Sequence, residues 1–322
     1  MLTVAAEPVR PAPAPGALAG FPAYSGDTVS LGALAGVMAR SGDTVSLGEL
    51  KARAALLDRL DSKYVVPLEV LYTLFPALSE HFAVLRIEHA LVFGYDTVYF
   101  DSADLLTYRA HVQKRRKRFK VRSRHYVDSG VCIFEVKLKG PRGETIKKLL
   151  PYDDAQHGRM SEPARAFLER CLRREYGQDC THDLAPAVRM HYSRMTLVAR
   201  AGAERVTCDA DLSFLGPAGP AGRLASGHVL VETKSARGQG LADRLLRAAG
   251  ANTVDCSKYC VGIALTRPGI KYNEFKWLLS RYFDRSSPLA LPELGVNVQQ
   301  AGQPDVVAPG QSRRALPQPV RP

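Results

Sequence analysis

The chain has 322 residues, of which 44 are Lys or Arg and 32 are Asp or Glu, so its net charge is +12 with His neutral. Hydrophobic residues make up 46% of the chain, which excludes disorder throughout and allows one large domain or two small ones. The sequence contains no apolar run of about 18 residues, so we expect no transmembrane helix. The positive excess points to an anionic partner: nucleic acid, phosphates or a membrane surface.

The two ends of the chain differ in composition from its middle. Residues 1–52 begin with an Ala- and Pro-rich stretch and contain one octet twice within 25–48, and residues 286–322 are rich in Pro, Gly and Gln. Both ends are predicted to be flexible tails. The first 50 residues carry a net charge of −2 and residues 286–322 carry +1, which leaves +13 in between. The charge excess therefore belongs to a single predicted domain over residues 53–285.

The hydrophobic pattern of this domain predicts strands with period-two alternation, interrupted by a few helices. In chain order the elements are a strand at 58–66, a helix from 67 to about 82, a strand at 97–101, a helix at 103–113, strands at 116–127, 131–139 and 144–150, a helix at 162–176, a hairpin of 188–200 and 205–212, a strand at 229–234 and a helix at 238–250. Short Gly-containing turns at 128–130 and 140–143 join the three central strands into an antiparallel meander. The predicted fold class is α+β, dominated by antiparallel strands.

Charged side chains alternate with apolar ones along five of the predicted strands. In the strand over 131–139, Glu135, Lys137 and Lys139 share one face, while Phe134 and Val136 lie on the other. A sheet with one face in water would give the same alternation. However, like charges two residues apart lie roughly 7 Å from each other and repel without a counter-anion. If the sheet closes, these faces line a bore that concentrates positive potential, suits a polyanion and leaves the glutamates for a divalent metal.

Short motifs follow one another in a fixed order along the same strands. They are Arg59-x-Asp61-x-Lys63-Tyr64-x-x-Pro67, Val98-Tyr99-Phe100-Asp101-Ser102, Arg122-x-Arg124-x-Tyr126, Phe134-Glu135-x-Lys137, Tyr192-x-Arg194, Arg205-x-Thr207-x-Asp209, Glu232-x-Lys234 and Ser257-Lys258-Tyr259. Their number, order and spacing resemble those of the vacuolar transporter chaperone (VTC) domain, a polyphosphate polymerase within the triphosphate tunnel metalloenzyme superfamily. The resemblance runs from about residue 55 to about residue 265.

The resemblance implies an eight-stranded antiparallel β tunnel with flanking helices, which uses ATP as phosphoryl donor and a growing polyphosphate chain as acceptor. It implies six catalytic residues that contact phosphates: Lys63, Arg122, Arg124, Lys137, Arg205 and Lys258. Six further residues are expected to bind substrate: Arg59, Tyr126, Lys139, Lys147, Arg194 and Lys234. Glu232, together with Glu135, is expected to hold a Mn2+ or Mg2+ ion.

Three functions remain open at this point. They are synthesis of polyphosphate, hydrolysis of triphosphate or polyphosphate in the same tunnel, and non-catalytic binding of polyphosphate or inositol phosphates. The motif Ser257-Lys258-Tyr259 favours the polymerase, although a lone lysine in a polar turn is more often simply solvated. Nucleic acid ranks lower, because the basic run over 114–118 continues into an alternating strand without an RNA-binding aromatic signature.

The expected cellular location of the protein depends on segments that other family members have and that we do not recognise in this sequence. Eukaryotic members of the family often add an N-terminal phosphate-sensing domain and C-terminal membrane helices, and we recognise neither here. We expect a cytoplasmic protein, with attachment to the inner face of the membrane through a separate export protein as an option. The six cysteines form no CxxC pair and are expected to be buried thiols in a reducing compartment.

Overall fold

The computed structural model describes residues 30–41, 44–54, 60–217, 219, 221–236 and 238–285. The strands in these ranges are β1 (Thr44–Val45), β2 (Leu60–Pro67), β3 (Phe82–Leu85), β4 (Val92–Asp101), β5 (Phe119–Tyr126), β6 (Val131–Lys139), β7 (Thr145–Tyr152), β8 (Ala185–Ala199), β9 (Arg205–Leu215), β10 (Ala221–Leu224), β11 (His228–Ser235) and β12 (Phe283–Asp284). The α-helices are α1 (Leu31–Ser41), α2 (Leu47–Ala54), α3 (Leu68–His81), α4 (Leu106–Val112), α5 (Glu162–Tyr176), α6 (Leu241–Ala248), α7 (Lys258–Thr266) and α8 (Lys276–Tyr282). None of these described helices is long and apolar enough to cross a membrane.

Eight strands form one antiparallel sheet in the order β2-β11-β9-β8-β4-β5-β6-β7. The long strand β9 pairs with β11 along its first half and with β10 along its second half. Within the described residues β2 and β7 are the two edges and do not pair with each other, so the tunnel is open along one seam. The predicted antiparallel tunnel with flanking helices is confirmed, and its open seam is a feature that the sequence did not reveal.

The apolar faces of the strands pack outward against the helices. Leu168 and Leu172 of α5 belong to one core cluster with Phe134 and Val136 of β6. Helices α1, α3 and α6 form a second cluster with the apolar faces of β2, β8, β9 and β11. Because the helices cover the apolar faces, the charged faces of the strands are left on the inside of the curved sheet.

The predicted flexible tail over residues 1–52 is wrong for the part of it that the structure describes. Helix α1 buries Leu31, Leu34, Ala35 and Met38 in the core cluster that includes α3 and α6. These positions follow the i, i+3, i+4, i+7 spacing of an amphipathic helix. The remainder of that predicted tail, residues 1–29 with 42–43, and the predicted tail over 286–322 lie outside the described residues.

The duplicated octet starts a helix in both of its copies. The Ser30 hydroxyl accepts a hydrogen bond from the Ala33 amide at 3.1 Å, and the Ser46 hydroxyl accepts one from the Glu49 amide at 3.3 Å. The Glu49 carboxylate in turn accepts from the Ser46 amide at 2.8 Å, which completes a capping box. Ser, Gly and Asp suggested a linker, but in front of an apolar stripe they act as helix caps.

The other predicted elements are confirmed with shifts of a few residues. Helix α5 has the predicted bounds, because the Ser161 side chain caps its start and Gly177, with φ of 62°, ends it in the left-handed region. Strand β4 begins at Val92, five residues before the predicted start at Thr97, since it pairs with β8 over its whole length.

Candidate active site

Cross-strand pairing places the predicted site residues on one face of the sheet. Arg122 pairs with Glu135, and Lys137 pairs with Lys147. Paired residues in a sheet project to the same side. The predicted residues that share this side, which we call the inner face, are Lys63, Arg122, Arg124, Tyr126, Glu135, Lys137, Lys139, Lys147, Arg194, Arg205, Glu232 and Lys234. Arg59 lies outside the described residues.

The first charged region of this face, which we call the Glu135 wall, belongs to β5, β6 and β7. Glu135 Oε1 lies 2.6 Å from Arg122 Nη2 and 3.5 Å from Lys137 Nζ, and Oε2 lies 2.9 Å from Lys147 Nζ. Only 3% of the glutamate side chain is exposed. Burial raises the pKa of Glu135, but Arg122, Lys137, Arg124 and Lys147 together bring it well below its usual range. The carboxylate is therefore ionised and holds these cations in place.

Arg122 and Arg124 are also fixed by partners on β4. Arg122 Nη1 donates to the Tyr99 hydroxyl at 2.9 Å, and Arg124 Nε donates to Thr97 Oγ1 at 3.3 Å. The Arg124 guanidinium lies 5.3 Å from the ring centre of Tyr95. Arg122 Nε is buried and has no hydrogen-bond partner among the described groups. Both guanidinium groups are thus oriented before any ligand binds, and one donor is left for a ligand.

Lys137 lies close to other cations. Its pKa is lowered well below the usual range, first by the neighbouring Arg122 and second by burial. A phosphate group beside Lys137 would offset this repulsion and favour the protonated amine. The region therefore favours an anionic ligand.

Lys120 lies on the inner face, although it was not among the site residues predicted from the sequence. It pairs with Lys137 across β5 and β6, and its Nζ donates to Ser257 Oγ at 2.8 Å. Burial lowers the pKa of Lys120, and Lys63 on β2 lowers it further. The alternation with Arg122 was the signal that should have included Lys120.

The second charged region, which we call the Glu232 wall, belongs to β2, β11, β9 and β8. Glu232 Oε1 forms an ion pair with Lys234, and Lys234 Nζ also lies 2.7 Å from Asp61 Oδ2. Lys63 pairs directly with Glu232 across β2 and β11. Burial raises the pKa of Glu232, but Lys234, Lys258 and Lys63 bring it well below its usual range. This wall thus carries an ionised carboxylate among lysines.

Asp209 is a fully buried carboxylate of the same wall. It accepts two hydrogen bonds from Arg194, at 2.5 Å from Nε and 2.8 Å from Nη2, and lies 2.5 Å from Lys258 Nζ. Burial raises the pKa of Asp209, but Arg194 and Lys258 lower it overall. Asp209 therefore positions two of the predicted cations, a role that its motif alone did not indicate.

The motif Ser257-Lys258-Tyr259 joins helix α7 to both walls. Ser257 caps the helix by accepting from the Cys260 amide at 3.3 Å, and its hydroxyl is the acceptor for Lys120. The Tyr259 hydroxyl donates to Asp101, at the end of β4. Helix α7 was not predicted, although the apolar run that follows Lys258 could have indicated it. The three consecutive residues thus bring Lys258 to the inner face and lock α7 there.

The Glu232 wall offers oxygen atoms that fit a divalent metal. Thr207 pairs with Glu232, and its buried hydroxyl has no hydrogen-bond partner among the described groups. Within the described part of the chain, no three His, Cys, Asp or Glu side chains gather around one point. Mg2+ commonly binds one or two carboxylates together with phosphate oxygens rather than an all-protein cage. The residues present fit a metal that Glu232 shares with a phosphate ligand, whereas both Glu135 oxygens already contact cations.

Another polar cluster lies on the outer face of β4. Cys132 Sγ lies 3.7 Å from His157 Nδ1, and His157 Nε2 lies 3.3 Å from Asp96 Oδ2. The order Cys-His-Asp resembles a nucleophilic triad. However, the cysteine is only 4% exposed, and burial raises the pKa of its thiol to about 11. A protonated and covered thiol is a poor nucleophile, so this cluster is structural.

The antiparallel tunnel with two charged walls places the chain in the class of tunnel-fold β proteins. The model of the VTC domain family matches residues 58–267, which include both walls and helix α7. The chain therefore belongs to the VTC domain family, and the resemblance seen in the sequence is confirmed. A comparison with curated proteins found no match.

Solved structures with a similar chain path come from several organisms. A candidate adenylate cyclase of Bacillus halodurans is 14% identical, covers 62% of this chain and 94% of its own, and has a TM-score of 0.37. A candidate adenylyl cyclase of Hippeastrum, described as having a dominant triphosphatase activity, is 15% identical, covers 67% and 99%, and has a TM-score of 0.38. A candidate adenylate cyclase of Vibrio parahaemolyticus is 13% identical, covers 62% and 95%, and has a TM-score of 0.37. All three similarities are distant.

Proposed function

We propose that the protein is a metal-dependent polyphosphate polymerase, which transfers the γ-phosphate of ATP to a growing polyphosphate chain on the inner face of its sheet. The observation that carries this proposal is a concave face lined by cations that buried carboxylates hold in place, as Glu135 holds Arg122. Membership of the VTC domain family adds support. We include in the proposal a cytoplasmic location and a separate membrane protein that takes up the polymer.

The main obstacle to this reaction is electrostatic. The terminal phosphate of the acceptor is already ionised at neutral pH, so it attacks without a strong general base. Two polyanions must nevertheless approach each other, and developing charge on the phosphoryl oxygens must be stabilised. Arg122 and Arg124 bind phosphate oxygens in bidentate fashion, while Lys137 and Lys258 act as point charges.

The carboxylates of the site hold its cations in position before substrate binds. Glu135 orients Arg122, and Asp209 orients Lys258 and Arg194 before substrate arrives. Charged groups that are already in place stabilise a transition state without the free-energy cost of reorienting during the reaction. In this proposal Lys63, Arg205 and Lys234 complete the phosphate contacts on the Glu232 wall, and Lys139 and Lys147 complete them on the other, while Tyr126 contacts the substrate at the end of β5.

Glu232 is the residue that would hold Mn2+ or Mg2+, with the Thr207 hydroxyl beside it. Such an ion would supply positive charge that offsets the charge of the phosphates. Glu135 is the second carboxylate of the site, and its primary task here is to orient Arg122, Lys137 and Lys147.

Incubation of the purified protein with ATP and Mn2+ tests the function. The product is separated on a polyacrylamide gel and stained for polyphosphate. We expect a ladder of polymer lengths that depends on time and on the metal. Free phosphate without a ladder would replace the polymerase by a hydrolase, and unchanged ATP would replace it by a binding module.

A further inference from the structure

Apolar side chains occupy one end of the Glu135 wall, on the same inner face as its charges. They come from the ends of β5 and β7 and the start of β6, and we call this group the apolar mouth: Tyr126, Val131, Ile133, Leu149 and Pro151. Leu149 is 50% exposed and Val131 is 47% exposed. The mouth is therefore an open apolar surface directly beside a buried ionic cluster.

The packing of β7 does not account for this exposure. Leu149 pairs with Glu135 across β7 and β6, so both side chains project from the inner face. The neighbouring positions Ile146, Leu150 and Tyr152 project outward and pack against the core cluster that contains α5. A single exposed leucine is ordinary, but five adjoining apolar side chains at the edge of a polar site are typical of a binding surface.

The Glu135 wall changes character along its strands. On β6 the inner face runs from Ile133 through Glu135 to Lys137 and Lys139, in steps of about 7 Å. Lys120 on β5 adds to the cationic end. A nucleoside triphosphate has the same polarity, with a flat apolar base at one end and anionic phosphates at the other.

We propose that the apolar mouth binds the nucleobase of the phosphoryl donor, while its phosphates run along β6 toward Lys137 and Lys139. This inference rests on the proposed function. Aliphatic and aromatic side chains can pack against the face of any base. The five side chains of the mouth contain one polar atom, the Tyr126 hydroxyl, so they do not read the hydrogen-bonding edge of the base. Adenine and guanine nucleotides therefore bind with similar affinity, and the acceptor chain meets the γ-phosphate from the cationic end.

Calorimetric binding of three probes tests this inference. The probes are the β,γ-imido analogues of ATP and GTP and inorganic tripolyphosphate. In Leu149→Ser and Val131→Ser we expect affinity for both nucleotide analogues to fall about fivefold to tenfold, because apolar contact area is lost. Affinity for tripolyphosphate stays within about twofold of the wild type, since it has no base. Leu47→Ser, at an exposed leucine of α2, is the control and changes neither.

The outcomes separate this inference from the function on which it rests. Equal loss for tripolyphosphate, unchanged nucleotide affinity in both variants, or more than about tenfold preference between the two bases overturns the apolar mouth alone. A wild-type protein that binds tripolyphosphate as tightly as the nucleotide analogues also overturns the mouth alone. A wild-type protein that binds none of the three probes overturns both proposals.

Discussion

The Glu135 wall and the Glu232 wall face the same space but balance their charges differently. On the Glu135 wall one carboxylate contacts three cations, Arg122, Lys137 and Lys147. On the Glu232 wall two carboxylates, of which Asp209 is fully buried, each have cations of their own: Glu232 pairs with Lys234, and Asp209 pairs with Arg194 and Lys258. The first wall therefore has an excess of positive charge that bound phosphates can neutralise. The second is closer to neutral and leaves carboxylate oxygen for a metal.

This difference shows that the cations of the inner face have different roles on the two walls. Buried carboxylates keep them oriented, and removal of one member leaves the others uncompensated in a region of low dielectric. Substitutions on the two walls should consequently have different signatures: loss of phosphate binding on one, and changes in metal demand or stability on the other.

The largest effect is expected on the Glu135 wall. Arg122→Ala or Lys137→Ala should lower polymer synthesis on the order of 1,000-fold, because each removes a charge aimed at the transferring phosphate. Glu135 keeps Lys147 as a partner in both variants, so the fold should persist and give an unchanged circular dichroism spectrum. Arg116→Ala, at an exposed position of the basic run, is the matched control and should synthesise normally. Wild-type yield from either wall variant would remove the Glu135 wall from catalysis.

The next effect concerns stability on the Glu232 wall. Asp209→Asn takes the negative charge from between Arg194 and Lys258 and should lower the free energy of unfolding by about 3 kcal/mol. Asp61→Asn breaks an ion pair whose carboxylate is half-exposed, and it should change stability by less than about 1 kcal/mol. Denaturant melts of both variants measure the contrast. Equal losses would mean that burial of Asp209 does not distinguish it.

A smaller effect separates the walls by their metal demand. Glu232→Gln should raise the Mn2+ concentration needed for half-maximal synthesis about tenfold, because it removes a charged oxygen ligand. Glu135→Gln should lower the maximal rate with little change in that concentration. Titration of activity against Mn2+ gives both quantities. A curve that Glu232→Gln leaves unmoved would take the metal role from this residue.

The smallest effect is a pH dependence of stability near Lys120. Burial is the main cause that lowers the pKa of His111 to about 3, and the second is the charge of Lys120, whose Nζ lies 3.4 Å from His111 Nε2. In the unfolded chain the His111 imidazole becomes protonated near pH 6.5, whereas in the folded protein it stays neutral at that pH. The stability of the fold therefore falls as the pH drops below that value. Between pH 7 and pH 6 the expected loss is roughly 0.7 kcal/mol.

His111→Gln should remove this loss and flatten the curve of unfolding free energy against pH. The control is His89→Gln, at an exposed histidine, which should retain the slope. An identical slope in wild type and His111→Gln, measured by denaturant melts, would show that His111 is not the group responsible.

Much of the inner face was predictable from the sequence, because period-two alternation fixes which side chains share a side of a strand. Arg122, Glu135 and Lys137 were placed correctly by that rule alone. Contacts between residues far apart in the chain were not predictable, since they depend on how distant strands and helices come together. The role of Asp209 is an example, because Lys258 reaches it from a helix about 50 residues later.

The failures have a similar origin. Helix α1 was read as a tail because Ser, Gly and Asp are common both in linkers and in helix caps, and only the apolar stripe from Leu31 to Met38 separates the two. Lys120 was missed although its alternation with Arg122 indicates the inner face, and the apolar mouth was missed because its side chains come together only when β5, β6 and β7 pair. Leu149 in particular looked like an ordinary strand residue.

A crystal structure with a short polyphosphate and Mn2+ tests the two-wall site most directly. We predict phosphates on the inner face, within hydrogen-bond distance of Arg122 and Arg124, and the metal on Glu232 of the facing wall. Polyphosphate bound only to the exposed basic run over 114–118, with no phosphate on the inner face, would contradict the assignment of the sheet interior as the active site.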